Sequence, residues 1–339
     1  MDEIPHLLPE SKSFPLRSED KNFGWSDYYG AIRVAARYCN KNYKDSLFDF
    51  FWNHGCAPPW QNLHPNAITY GYKESKSKYF VARTDQQQFL KERGYENVTA
   101  VGMPIIYVPE AEVSRKPKSL LIMPPHILKS GAATNSEFEQ EYLKSIEGHL
   151  KSFNSIYACV SPICLDKGMW TDTFQKAGIK VVSGAAHNDR YALDRMATLF
   201  KYFDVVTTPT FGSHVPYALH FGAKVSIWGE YQDTKKDIKR DGTWADIPEV
   251  AKKFLDPEWR KRQERSYFEK HYLPPTEALS DRELGSQFLG AENKRSPQEL
   301  IELFEWTAFG DMLRSTRNYY QQARNSRLGK KIVSLLPGE

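Results

Sequence analysis

The sequence predicts an α/β protein with two domains, and three observations carry that prediction. The chain has 339 residues, which is long for one hydrophobic core, because single cores usually stop growing near ~250 to 300 residues. Its content of 40% hydrophobic and 14% aromatic residues is ample for globular cores. Short apolar runs alternate with segments of helical periodicity, the order that parallel sheets require.

The first third of the chain begins this alternation. Residues 25–39 have helical spacing, and residues 46–53, SLFDFFWN, read as a buried strand that runs into a loop with two prolines. The next predicted elements are strand 78–82, helix 84–94 and strand 97–105. A charge-rich stretch at 109–118, PEAEVSRKPK, then divides the chain.

After this stretch, strands and helices alternate more regularly. The predicted strands are 119–123, 155–161, 179–185, 204–210 and 223–228. The predicted helices are 136–153, 169–178, one that starts near Asn188 or Asp189, and one over 214–221 with Gly212 or Ser213 as its cap. The Ser296-Pro297 pair starts a last helical stretch, because serine is a good N-cap and proline suits the first turn.

We therefore expect two Rossmann-like domains that face a cleft. The N-terminal α/β domain covers residues 1–112, and the second α/β domain covers 113–295 with a charged, less regular excursion from about 230. Residues 296–339 form a C-terminal helix that could cross back to the first domain. Loops that follow the strands of both sheets would face the cleft.

Composition and charge narrow the classes of partner. The 46 basic and 42 acidic residues give a net charge of +4, which makes no case for nucleic acid and leaves only a weak attraction to anionic ligands or lipid headgroups. The four cysteines lack zinc-site spacing and are expected as free thiols in a reducing compartment. With no signal-peptide pattern and no long apolar run, the expected location is the cytoplasm.

His54 is the candidate general base. It follows a buried aromatic strand in FFWNHGCAPPW, and Gly55 beside it leaves room for a substrate to approach. Histidine titrates in the pH range where a base must work. The alternative is a histidine that is hydrogen-bonded within its own proline-rich loop.

A turn at Gly212, Ser213 and His214 is the candidate anion-binding site. It joins a predicted strand to a predicted helix, so its amides and the positive end of the helix dipole can accept a phosphate. The serine hydroxyl and the imidazole add donors, and Thr210 precedes them in the same loop. The alternative is a plain helix cap whose histidine faces solvent.

Two further loops follow strands of the same predicted sheet. One holds His126 after two prolines, with Ser130 and Gly131, and a glycine beside donors can form an anion nest. The other holds His187 and Arg190 just before a predicted helix. The structural alternatives are a generic loop for the first, and a helix cap with a surface arginine for the second. Since all these loops face the same cleft, they predict one shared site.

Two stretches also carry a resemblance to a known family. DVVTTPTFGSHVPYALHFGAKVSIWG, at 204–229, is similar to the segment of bacterial capsule and lipopolysaccharide glycosyltransferases of the GT-B fold in which a Ser or Thr at a helix start meets the donor phosphate. WNHG, at 52–55, resembles the His-Gly loop that polymer-building transferases of this fold place near the acceptor. The sequence lacks the Glu-x7-Glu element of the common retaining transferases.

The resemblance implies a transferase that moves a sugar from a nucleotide sugar to a glycan or lipid-linked glycan acceptor, with possible peripheral association at the inner face of the membrane. It implies that Ser213, His214 and the Gly212 amide hold the donor phosphates beside the residues of the two neighbouring loops. His54 would deprotonate the acceptor hydroxyl if the reaction inverts.

Helix dipoles, hydroxyls and imidazoles can neutralise a leaving phosphate, and the sequence gathers no set of metal ligands, so we expect neither a metal nor a cofactor. The donor sugar, the acceptor and the stereochemistry do not follow from the resemblance. Two alternatives stay open: a nucleotide-sugar epimerase of the same fold, and a non-catalytic scaffold subunit of a glycan assembly complex.

Overall fold

In the computed structural model of the protein, the described residues form two parallel sheets flanked by helices. These residues are 4–11, 27–42, 50–69, 78–109, 112–125, 136–230, 253 and 256–306. The strands are β1 (Phe50–Trp52), β2 (Lys78–Val81), β3 (Val98–Ala100), β4 (Lys116–Ile122), β5 (Ser155–Val160), β6 (Lys180–Ser183), β7 (Phe203–Thr208) and β8 (Lys224–Ile227). The predicted α/β class with two Rossmann-like parallel sheets is confirmed.

Twelve α-helices lie within the described residues, and most of them connect the strands. They are α1 (Ile4–Leu7), α2 (Ala31–Tyr38), α3 (Asn66–Thr69), α4 (Thr84–Lys91), α5 (Ser136–Leu150), α6 (Pro162–Leu165), α7 (Thr171–Lys176), α8 (Ala192–Tyr202), α9 (His214–His220), α10 (Pro257–Phe268), α11 (Arg282–Phe288) and α12 (Pro297–Leu303). None of these helices is both long enough and apolar enough to cross a membrane.

The small sheet has the strand order β1-β2-β3, and all its pairs are parallel. Alternate side chains of its strands point to opposite faces. Phe51 and Tyr79 lie on one face, in a core cluster with Phe89 and Leu90 of α4. Phe50 and Phe80 lie on the other face, in the larger core cluster that also contains residues of the large sheet.

The large sheet has the strand order β6-β5-β4-β7-β8, again all parallel. The chain runs outward from β4 through β5 to β6, and then crosses to β7 and β8 on the other side. The order of the strands therefore reverses between β4 and β7. In open parallel sheets, ligands bind at such a switch point, in the crevice outside the carboxyl ends of the strands.

Residues 288–306 cover the second face of the small sheet. The ring of Phe304 packs on Phe50, Trp52 and Phe80, with ring centroids 4.8 to 5.2 Å apart. The Met103 amide donates to the Leu289 carbonyl at 2.9 Å. These contacts join the chain after α11 to strands formed near its beginning.

Several element boundaries differ from the sequence-based prediction. In the described part of the predicted helix over 25–39, the α-helix is limited to α2, because a 3-10 turn at Tyr28–Gly30 precedes it and contains a left-handed Tyr29. The predicted strand over 97–105 ends with β3, because Pro104 starts a 3-10 turn that runs to Tyr107.

In the later part of the chain, β4 begins at Lys116, inside the charge-rich stretch. The charged region predicted as irregular contains α10 and α11. The predicted last helix over 296–339 begins at Pro297 but ends at Leu303, before Glu305 with its positive φ of 55°. Residues 307–339 lie outside the described residues. The domain boundaries at 112/113 and 295/296 stay a prediction.

Candidate functional site

Loops from the carboxyl ends of both sheets meet at one place. The loop after β1 contacts the turn after β7, since the Cys56 amide donates to Ser213 Oγ at 2.9 Å. The hydroxyl of Tyr217 on α9 donates to the His54 carbonyl at 3.3 Å. The loop after β6 reaches the same place through His187. Among the described residues, the loop with His54 therefore lies beside two loops of the large sheet, as the sequence predicts: the turn after β7 and the loop after β6.

The loop that carries His54 is held by a dense set of hydrogen bonds. Asn53 is buried; its amide donates to the Phe80 carbonyl at 2.9 Å, and its side-chain oxygen accepts from the Gly55 amide at 3.1 Å. Further along, the Ala57 carbonyl accepts from both Arg83 Nη1 and Gln86 Nε2, each at 2.9 Å. Because both ends of the loop are tied to the small sheet and α4, the backbone around His54 has little freedom.

The imidazole of His54 lies against aromatic rings. Its centroid is 4.7 Å from that of Tyr28, edge to face, and 5.7 Å from that of Tyr29. Burial lowers the pKa of His54 to about 3, a backbone hydrogen bond to Trp52 acts in the opposite direction, and nearby His187 lowers the pKa further. The imidazole is therefore neutral at physiological pH, with little tendency to hold a proton.

A turn at Tyr28–Gly30 brings the other side of the site into contact with His54. The ring of Tyr28 lies edge to face against His54 and also against His187, with centroids 5.7 Å apart for the second pair. The Tyr29 amide donates to the His187 carbonyl at 2.8 Å. The sequence-based prediction missed Tyr28, because nothing in the local pattern around it points to a contact with residues so distant in sequence.

The loop with His187 and Arg190 is fixed by a buried ion pair. Asp189 Oδ1 accepts from the Tyr191 amide at 3.0 Å, and Oδ2 accepts from Arg195 Nη2 at 2.9 Å. Both side chains of the ion pair are buried. Asp189 thus fixes the turn before α8, which begins at Ala192 with Tyr191 at its N-cap, so the predicted start near Asn188 or Asp189 is three to four residues too early. The backbone of Arg190 packs closely on Gly30: a Cβ added to Gly30 would lie 2.2 Å from the Arg190 carbonyl oxygen.

Ser213 links the two sheets. It stands at the N-cap position of α9, but its side chain makes no capping hydrogen bond there, because Oγ accepts from the Cys56 amide instead. Ser213 is therefore the cap residue that the sequence predicts by position, although its side chain binds another loop. A hydroxyl has one proton to give and two lone pairs that accept, so Ser213 can hold Cys56 and still donate to a ligand.

His214 folds back on the end of β7. Its Nε2 lies 3.0 Å from Thr208 Oγ1, and the Thr208 hydroxyl donates its proton to the Thr210 carbonyl at 3.0 Å. The Nε2–H group must then be the donor to Thr208, so a neutral imidazole carries its lone pair on Nδ1. Gly212 gives the ring room, since a Cβ there would lie 2.9 Å from Nδ1. His214 is half-buried and hydrogen-bonded, unlike the solvent-facing histidine of the alternative.

The remaining predicted site residues follow β4 and β7 in the sequence. His126, Ser130 and Gly131, between β4 and α5, lie outside the described residues. Thr210 is half-buried, and its amide lies 3.5 Å from Thr208 Oγ1. Among the described residues, no group of three or more His, Cys, Asp or Glu side chains is placed to hold a metal ion.

Comparison with known proteins adds one structural similarity. No family model matches the chain, and no curated protein matches it. Five chains among solved structures match. One of them is a co-structure of S. aureus MnaA with UDP, with a TM-score of 0.34 and 12% sequence identity, covering 75% of this chain and 68% of that chain.

Proposed function

We propose that the protein is a glycosyltransferase that binds a nucleotide sugar at the switch point of the large sheet and transfers the sugar to a glycan acceptor. The observation that carries this proposal is the strand order, since the reversal between β4 and β7 puts the turn at Gly212–His214 at the crevice where open parallel sheets bind ligands. Loops after β1 and β6 border the same crevice.

The donor phosphates would be bound by the turn after β7. Ser213 has a hydroxyl proton to donate while Oγ accepts from Cys56. His214 donates its Nε2–H to Thr208, so it can donate from Nδ1 as well only when the imidazole is protonated. A protonated imidazole also brings positive charge to the phosphate. His187, Arg190 and Thr210, with His126, Ser130 and Gly131 on the loop after β4, complete the proposed donor site.

His54 would act on the acceptor as a general base. The pKa of His54 in this structure is about 3, which is far below the optimum for a base at neutral pH. Negative charge favours the protonated form, so a bound nucleotide diphosphate would raise this pKa. Occupation of the donor site therefore makes His54 a stronger base, which suits an inverting reaction.

The broader setting of the reaction also belongs to this proposal. The acceptor would be a glycan or lipid-linked glycan of surface polysaccharide, such as capsule or lipopolysaccharide, and the reaction would proceed without a metal or a cofactor. The cytoplasmic location and a peripheral contact with the membrane stay predictions. The net charge of +4 is compatible with such a contact.

Titration calorimetry with UDP-, GDP-, CDP- and CMP-linked sugars tests donor binding, with Ser213→Ala as the variant. A hydrogen bond to a charged group contributes roughly 1.5 to 3 kcal/mol, so Ser213→Ala should weaken the best donor by about 10- to 100-fold. Ser266→Ala is the matched control, because Ser266 is an exposed serine of α10 that bonds only locally, to the Gln263 carbonyl. Equal affinities of the two variants would remove Ser213 from the donor site.

A product assay separates the proposed transfer from the two alternatives. With donor and acceptor glycans together, the transferase forms an extended glycan and a free nucleotide. Conversion of the donor sugar without any acceptor would instead identify an epimerase. Donor binding that is unaffected by Ser213→Ala, with no reaction of either kind, would identify a scaffold.

A further inference from the structure

We propose that Tyr28 is a positioning residue of this site: its ring, held between the imidazoles of His54 and His187, fixes the orientation of His54 and keeps water away from it. Three ring contacts support this role. Tyr28 meets both imidazoles edge to face, and Tyr29 adds a second ring against His54. Such aromatic pairs stabilise a structure beyond the area that they bury.

The backbone that presents Tyr28 is built to hold its position. Tyr29 has φ 61°, in the left-handed region that a bulky side chain seldom adopts, and Gly30 has φ 77°. The turn is held in this conformation by the Tyr29 amide, which donates to the His187 carbonyl, and by the close contact of Gly30 with the Arg190 carbonyl. Strained residues of this kind persist only where the surrounding structure enforces them, and they cluster at functional sites.

The titratable groups that the described residues place around His54 come from three elements. Tyr28 and Tyr29 face its ring from the turn before α2, and His187 faces it from the loop after β6. Tyr217 of α9 donates to the His54 carbonyl. Burial raises the pKa values of both Tyr28 and Tyr29, so both phenols are neutral at physiological pH. The uncharged ring of Tyr28 therefore acts by excluding water from the His54 imidazole and by fixing its orientation.

Removal of the Tyr28 ring should therefore expose His54. In Tyr28→Ala, the pKa of His54 should rise from about 3 toward the ordinary 6.5, because water returns to the imidazole and burial no longer disfavours its charged form. Tyr28→Phe keeps the ring, so the pKa should stay near 3. NMR titration of the His54 imidazole in the full chain measures both values, and Tyr95→Ala, which removes a ring on the far side of the small sheet, is the control.

The role in turnover rests on the proposed function. With donor and acceptor present, Tyr28→Ala should lower kcat by about 10- to 100-fold, because a general base that is misplaced by ~1 Å loses this much, and should leave the KM for the donor unchanged. Tyr28→Phe should restore turnover. If Tyr28→Phe were as inactive as Tyr28→Ala, the hydroxyl of Tyr28 and not its ring would be needed for turnover, and the proposed role of the ring would be wrong.

The NMR titration needs no substrate, so it tests Tyr28 independently of the proposed function. A raised His54 pKa in Tyr28→Ala supports the positioning role even if no nucleotide sugar reacts. An unchanged His54 pKa in a folded Tyr28→Ala protein, with far-UV circular dichroism equal to that of the parent, overturns it.

Discussion

The small and large sheets are completed by different parts of the chain. The large sheet is covered by helices that alternate with its own strands, and Trp170 and Phe174 of the α7 region stack in its core beside Tyr142 of α5. In the small sheet, α4, which follows β2, packs on one face. Its other face packs against Phe304, which lies far along the chain from β3.

This difference matters for the candidate site, because the two sheets contribute different parts of it. The turn at Ser213 belongs to the large sheet, whereas the His54 loop belongs to the small sheet. Arg83 Nη1 donates to the Ala57 carbonyl of that loop at 2.9 Å, and it also lies 3.4 Å from the Phe288 carbonyl. The position of His54 thus depends on the end of α11, through the Phe288 carbonyl, whereas Ser213 stands at the start of α9, shortly after β7 in the chain.

The largest expected effect is that of Gly290→Ala. Gly290 has φ 65°, and a Cβ there would lie 1.9 Å from the Ala82 carbonyl oxygen, so the segment after α11 would have to leave the small sheet. We expect a loss on the order of 4 kcal/mol in the free energy of unfolding, measured by urea denaturation.

Gly94→Ala is the matched control for this substitution. Gly94 also has a positive φ, 85°, but no atom lies within 4 Å of the place that the added methyl group would take. Only the left-handed conformation therefore costs energy there, about 1 to 2 kcal/mol. Equal losses at Gly290 and Gly94 would show that the close contact with Ala82 does not hold the segment in place.

Phe304→Ala should have an effect of similar size and should act mainly on the small sheet. Deleting a buried phenylalanine costs about 3 to 5 kcal/mol, and Phe304 is 2% exposed. Hydrogen exchange should become faster in β1 and β2 while the amides of β4 and β5 keep their protection. Phe174→Ala, at a fully buried position under the large sheet, should give the reverse pattern. Uniform acceleration in both variants would mean that the two sheets unfold as one unit.

The smallest expected effect is that of Ser296→Ala, at the start of α12. The Ser296 hydroxyl accepts from the Glu299 amide, and Glu299 in turn accepts from the Ser296 amide at 2.8 Å, so the pair forms a capping box. Losing such a cap costs about 1 kcal/mol. Thermal unfolding at neutral pH should show a melting temperature lower by a few degrees.

The effect of Ser296→Ala should also depend on pH. The Ser296 backbone and side chain lower the pKa of Glu299 below its usual value of 4.5. A group whose pKa is lowered on folding stabilises the protein above its unfolded pKa, and this stabilisation is lost as the pH falls through the folded pKa. The gap in melting temperature between parent and variant should therefore narrow below about pH 4. If the difference in melting temperature did not change with pH, the ionised Glu299 carboxylate would not contribute to the stabilisation by the Ser296 cap.

The sequence predicts best those features that depend on neighbouring residues. Apolar runs such as 78–82 and 155–161 become β2 and β5, because a buried strand needs only a local pattern. Gly222 ends α9 with a φ of 82°, the conformation that favours glycine after a helix. The meeting of the His54 loop with the turn at Ser213 could be anticipated because the carboxyl ends of parallel strands share one edge.

The individual side-chain contacts between distant segments could not be predicted by the same reasoning. The sequence around Tyr28 shows an aromatic pair before a glycine, but nothing there indicates His187 as its neighbour. Similarly, the sequence predicts Ser213 as a cap residue of its helix, but nothing in it indicates that the Ser213 hydroxyl accepts from the Cys56 amide of the loop after β1. Such pairings depend on how two sheets pack, and the packing is a property of the whole chain.

The cover that Phe304 provides has a consequence for the order in which the protein is made. On a ribosome, β1 to β3 are synthesised before the whole of the large sheet. Phe304, which packs on one face of the small sheet, follows β3 by about 200 positions. At synthesis rates of ~5 to 20 residues per second, the small sheet waits roughly 10 to 40 s with one apolar face uncovered. The large sheet can be complete within that interval, and the half that carries His54 is the last to mature.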